Sequence, residues 1–124
     1  MAESKIQAAG HVFSVWKNGN FSFSGTDVPM DISVTVPKGS YIIALTCNVQ
    51  LSNNQSYPRM YLTANGTRQQ QYAAIMVGTG ATQAQMVLVK MITVTESTTF
   101  SGALSGDGNS SLFEGRQIEA IKIA

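Results

Sequence analysis

Few side chains in this sequence are of the types that do covalent or metal chemistry, and their spacing excludes most of it. His11 is the sole histidine and borders the apolar stretch Val12, Phe13, Val15, Trp16. A serine hydrolase needs that imidazole aimed at a serine in a recognisable motif, and no serine here has one. A cupin-like metal site needs several histidines, so one is too few. Cys47 is the only cysteine, so no intrachain disulfide can form. Its place in the apolar alternation of a strand reads as a buried thiol rather than a nucleophile. Asp107-Gly108-Asn109 begins like a calcium loop, but the carboxylates that should follow are missing. Asp27 and Asp31 read as turn and strand-start residues rather than a catalytic pair, since no third group is placed by spacing. Sequons at Asn20, Asn54, Asn65 and Asn109 read as chance in a chain rich in Asn and Ser. The expectation is a protein that is not an enzyme and holds no cofactor or metal.

Binding chemistry has more support. Tyr57, Arg59 and the run Arg68-Gln69-Gln70-Gln71 combine an aromatic face with amide and guanidinium donors, which suits a polyhydroxylated ligand. The same residues also serve as strand edges and hairpin flanks.

Overall composition narrows the class further. The 124 residues read as one domain, 1–124, long enough to bury a core unaided. Charged residues are only 12% of the chain, and Lys plus Arg at 8 balance Asp plus Glu at 7. Solubility therefore rests on neutral polar groups. No electrostatic field draws in nucleic acid or anionic lipid, and neither is expected as a partner. The polar start, Met1 to Lys5, is unlike a signal peptide, and no segment reaches membrane-spanning length, which predicts synthesis in a cytoplasm without membrane insertion.

The positioning elements are strands. Runs rich in Val, Ile, Thr, Phe and Tyr are separated by Gly, Asn, Ser and Pro clusters, with no long helical period. Strands are predicted at 6–16, 31–36, 41–51, 59–64, 70–77, 83–95, 98–104 and 115–123, with a short one at 21–23. Eight main strands predict an all-β antiparallel jelly-roll β-sandwich. Asn65-Gly66 marks a tight hairpin, and Pro37-Lys38-Gly39 and Glu96-Ser97 are similarly short. With strands alternating up and down, these turns and both termini share one end. The other end collects longer loops at 52–58, 78–82, 105–111 and 17–30. If a ligand binds there, Asn53, Asn54, Tyr57, Thr82, Asp107 and Asn109 are the candidates, because amides, one carboxylate and one aromatic can engage a glycan at low desolvation cost.

The strands also differ in their faces. Residues 31–36 split cleanly, with Ile32, Val34 and Val36 opposed by Ser33 and Thr35. In contrast, 83–95 sets Val87, Val89 and Met91 opposite Met86, Leu88, Ile92 and Val94. The first and last strands are also apolar on both sides, and the last runs apolar to Ala124. An antiparallel strand with one wet face would alternate. The second apolar face requires another partner, and the simplest is another copy of the chain.

The segment Val36-Pro37-Lys38-Gly39-Ser40-Tyr41-Ile42-Ile43 and the closing Ile118-Glu119-Ala120-Ile121-Lys122-Ile123-Ala124 resemble the C1q and tumour-necrosis-factor jelly roll, particularly the versions on bacteriophage fibre tips, head fibres and capsids. The resemblance implies a homotrimer whose first, third, sixth and eighth strands form the inner sheet. It also implies a virion surface location, with other virion proteins as partners and a host cell-surface glycan as possible receptor. For the interface this reading selects Met86, Leu88, Ile92, Ile118 and Ala120. The function expected is host-surface adhesion or capsid decoration. The alternatives are a soluble carbohydrate-binding, lectin-like module outside a phage and a small β-sandwich hydrolase.

Overall fold

The computed structural model describes residues 9–51, 58–74 and 82–124. Among them are seven strands: β1 (Val12–Asn18), β2 (Phe21–Val36), β3 (Gly39–Leu51), β4 (Arg59–Ala64), β5 (Thr67–Ala74), β6 (Thr82–Val94) and β7 (Thr98–Lys122). All pairings between them are antiparallel.

The 25-residue β7 organises the fold. Its first part pairs with β2 on one side and β4 on the other, and β4 continues to β5. Its last part pairs with β1 and β3, and β3 continues to β6. Two four-stranded layers result, β2-β7-β4-β5 and β1-β7-β3-β6, each with one face turned to a shared core. Met30, Val34, Phe100, Leu104, Met60 and Leu62 enter that core from the first layer, and Tyr41, Ile43, Leu45, Met86, Ile118 and Ala120 from the second. This is an antiparallel jelly-roll sandwich. The strands expected to share the inner sheet do share one.

Two expected loops are strand instead. The 17–30 excursion gives way to β2 from Phe21, and the 105–111 loop is replaced by unbroken β7. Gly, Ser and Asn have low strand propensity, so both segments look like loops one at a time. They pair with each other, Phe21 with Leu112 and Gly25 with Gly106, and so satisfy backbone groups that a loop would leave to water. The ladder is irregular, with shifts at Phe23/Ser24, Gly25/Val28 and Pro29/Ser33. Asp27 and Asp31 fall in the last two irregularities with φ of 57°, a left-handed conformation that Asp tolerates better than most residues. Within the last shift Met30 and Ile32 keep the strand's alternation and both point inward, and Gly102 opposite them has no room for a Cβ, which would overlap Met30 Sδ and come 2.8 Å from Leu45 Cδ2.

The tight turns behave as expected. Asn65 and Gly66 both have positive φ, 49° and 83°, the pattern of a two-residue type I′ hairpin. Asn65 Oδ1 accepts the Thr99 N–H at 2.9 Å, tying this hairpin to the start of β7. Ser40 N–H donates to the Ala124 carbonyl at 2.8 Å, and Gly10 N–H donates to the Lys122 carbonyl. The hairpin, the β2–β3 and β6–β7 turns and residues 10 and 124 therefore lie at one end.

Candidate functional site

The register of β1, β7, β3 and β6 defines the outward face of their sheet residue by residue, because paired residues in an antiparallel ladder share a face. One row reads Val12, Ile121, Ile42, Met91 across the four strands. The next reads Ser14, Glu119, Ala44, Val89, and the third Trp16, Gln117, Thr46, Val87. Val12, Trp16, Val87, Val89 and Met91 are exposed by 49, 62, 51, 56 and 68%. Applied to side chains of these sizes, those fractions amount to roughly 500 Å² of apolar surface, at the upper end of what a monomer shows (~300–600 Å²).

Two features give this face shape. Trp16 lies across Gly115, where a Cβ would meet the indole at 2.9 Å, so the glycine is what lets the ring settle on the sheet. Near the centre, Gln117 Nε2 donates to Glu119 Oε1 at 2.6 Å and to Ser14 Oγ at 3.2 Å, a small polar cluster within the second and third rows that sets Trp16 on β1 apart from Val87 and Val89 on β6.

The residues chosen for the interface from sequence occupy the other face. Met86, Ile118 and Ala120 are buried in the chain's own core, and Leu88 and Ile92 pack against it. They share a face with the fully buried Leu45, which pairs with Leu88 on one side and Ile118 on the other. The assignment is corrected: these side chains fill the sandwich, and the accessible apolar residues are their neighbours at alternate positions. Both faces of β6 are apolar, so alternation alone could not choose between them. Trp16 and Val12 complete the outward face, and their signal was the two-sided pattern of the first strand.

Of the glycan candidates, Asn53, Asn54 and Tyr57 lie outside the described residues. Thr82, Asp107 and Asn109 are described by backbone alone. Thr82 pairs with Leu51, which also pairs with Ser110, so the ladder brings Thr82 and the 107–110 stretch to the end opposite the termini.

The remaining chemistry-bearing residues have structural surroundings. His11 is exposed and stands edge-on to Phe13, with ring centroids 4.7 Å apart. Cys47 is buried 3.6 Å from Met60 Sδ, and burial pushes its thiol up to about 12 against the opposing influence of the Arg116 charge. A thiol so poised is not a nucleophile near neutral pH. Lys17 bonds Asp31, whose carboxyl is held below its usual value first by that hydrogen bond and then by the lysine charge. The nearly buried Arg116 reaches the same carboxylate at 3.7 Å. Among the described residues no three His, Cys, Asp or Glu side chains converge as a metal site.

A scan against family models finds no match, and a search of curated proteins finds none. Solved structures do match. The globular domain of zebrafish complement 1qA superposes with a TM-score of 0.61 at 9% identity, over 90% of this chain and 95% of that one. The Eiger TNF from S. frugiperda superposes with a TM-score of 0.65 at 9% identity, over 94% of each chain. The CBM36-1 domain of a multidomain xylanase from the hindgut metagenome of Trinervitermes trinervoides gives 0.53 at 14% identity, over 92% of this chain and 99% of that one. The fold is thus a C1q/TNF-like jelly roll.

Proposed function

We propose that this chain is a non-enzymatic display module that assembles as a homotrimer through the outward face of the β1-β7-β3-β6 sheet. Its place is the surface of a bacteriophage particle, for host-surface adhesion or capsid decoration. The observation that carries the assembly is the outward face on which Val12, Trp16, Val87, Val89 and Met91 stand half-exposed or more, roughly 500 Å² of apolar surface at the upper end of what a monomer shows. The phage setting is supported by the resemblance of residues 36–43 and 118–124 and by a surface made soluble with neutral polar groups. Light scattering on the whole chain tests the assembly: three chain masses are expected, and a stable monomer at micromolar concentration overturns it. Immunogold microscopy of the parent particle tests the setting, and label absent from the particle removes the phage role.

A second reading, a carbohydrate-binding module outside a phage, is supported by the superposition on the CBM36-1 domain. Neighbouring genes separate the two, since virion genes accompany the first and polysaccharide-processing genes the second.

A further inference from the structure

The outward face of the other sheet, β2-β7-β4-β5, holds a groove with a different character. Its floor is the run of small β7 side chains Thr99, Ser101 and Ala103. Larger groups rise on both sides, Pro29 opposite Ala103 on β2 and Thr63 opposite Ser101 on β4. Arg68 projects from β5 along the Tyr61 ring, its guanidinium carbon 4.0 Å from the ring centroid. It then crosses β4 and β7 to reach Asp27 on β2, donating from Nε at 2.8 Å and Nη2 at 2.6 Å, both to Oδ1. The cavity beside this bridge has a volume of about 380 Å³. That lies within the range of small-molecule clefts (~300–1,000 Å³).

We propose that this groove binds a single neutral sugar ring. Asp27 and Arg68 neutralise each other, so the site repels neither sign and attracts neither, which disfavours an anion or a cation as ligand. What remains is neutral recognition. Both Arg68 bonds fall on Asp27 Oδ1, leaving Oδ2 to accept from a ligand hydroxyl. Ser101 already donates to the Ile32 carbonyl, so its oxygen serves as an acceptor, and Thr63 adds a hydroxyl that both donates and accepts. Pro29 offers an exposed apolar surface for the C–H face of a pyranose, with Ala103, 5% exposed, at the bottom of the groove. Asp27 is also one of three non-glycine residues in the left-handed region among the described residues, and such conformations gather at ligand sites. The inference rests on the adhesion arm of the proposed function for the biological source of the sugar, while its chemistry stands on this groove alone.

The test applies the whole chain to an array of immobilised neutral mono- and oligosaccharides, then follows hits by saturation-transfer NMR and titration. At least one neutral glycan is expected to bind. Ala103→Leu fills the floor, and Asp27→Asn keeps a residue that tolerates the left-handed backbone while removing the carboxylate. Each should weaken binding about tenfold or more with oligomer mass unchanged; Asp27→Asn keeps the parent melting temperature, whereas Ala103→Leu, at a position 5% exposed, lowers it while the protein stays folded. No hit on the array overturns the proposal, as does full affinity in folded samples of both variants or binding confined to charged glycans. Light scattering on the same samples keeps the two readings apart. A monomer that binds sugar sinks only the assembly, and a trimer that binds none sinks only the groove.

Discussion

The substitution that best interrogates the assembly is Val89→Glu. Val89 is 56% exposed in the isolated chain and lies in the row Ser14, Glu119, Ala44, Val89 on the outward face. Its burial between copies removes roughly 80 Å² of apolar surface, or about 2 kcal/mol per protomer at ~25 cal/mol per Å². A glutamate there loses this and brings an unpaired carboxylate into the contact, which adds about 3 kcal/mol or more. The nearest charge in its row is Glu119, of the same sign, so no compensation is on hand. Over three protomers the penalty is on the order of 15 kcal/mol. The whole face supplies a gross ~12 kcal/mol per protomer, on the order of 36 kcal/mol for the trimer, and the freedom lost in two association steps takes ~8–30 kcal/mol of it, so the penalty removes most of what is left. The variant should therefore run as a monomer by light scattering at micromolar concentration. Its fold should survive, because the side chain points away from the core, and far-UV circular dichroism should match the parent. Ala120→Glu supplies the contrast: Ala120 is fully buried inside the sandwich, so that variant should fail to fold rather than dissociate. A Val89→Glu trimer, with wild-type mass and melting temperature, would refute the choice of face.

Other substitutions test the scaffold. A Cβ at Gly66 meets no atom within 4 Å, so the cost of Gly66→Val is chiefly the backbone penalty of a β-branched residue at φ of 83°, about 1 kcal/mol or more by chemical denaturation. Gly102→Ala forces a methyl onto Met30 and Leu45 and should destabilise by about 1–3 kcal/mol, read as a lower denaturation midpoint at unchanged slope. Cys47 should resist alkylation at pH 8 in the folded protein and react once denatured. The same raised thiol makes a pH prediction. The unfolded chain releases the proton near the ordinary value while the folded chain holds it to about 12, so stability should fall across that interval, and Cys47→Ala should flatten the fall.

The sheet-forming part of the fold was legible where side chains alternate under a burial constraint. Residues 31–36 could take only one orientation, and Ile32, Val34 and Val36 do point inward. The Asn65-Gly66 turn was legible because few residue pairs accept two positive φ values in succession. The interface face was not, since Met86 and Val87, or Leu88 and Val89, are equally apolar neighbours whose orientation depends on which side Leu45 takes in the next strand. The loops at 17–30 and 105–111 were misread for a related reason: their pairing is a property of two distant segments, and neither carries it alone. The groove over Ala103 was hidden more deeply. Arg68 was visible as a donor suited to sugar, but its partner Asp27 lies 41 residues away on a non-adjacent strand, joined only once β7 and β4 have been laid between them.

The two outward surfaces differ in what they require. The face of Trp16, Val87, Val89 and Met91 exposes large apolar groups, and its free energy falls when something flat and apolar covers it. The face of Thr99, Ser101 and Ala103 is built from small side chains beneath a neutralised ion pair, and covering it with another copy would bury polar groups with no matched partners. They lie on opposite sides of the sandwich, so assembly through the first leaves the second open to solvent. A groove that recognises one sugar ring through a few hydroxyl contacts binds weakly on its own. Three copies joined through the apolar face would present three such grooves outward, and simultaneous engagement of a repetitive surface glycan can raise the effective affinity by about 10²–10⁴ without any new contact. The assembly face and the sugar groove are on this argument complementary, the first supplying the valency that makes the second useful.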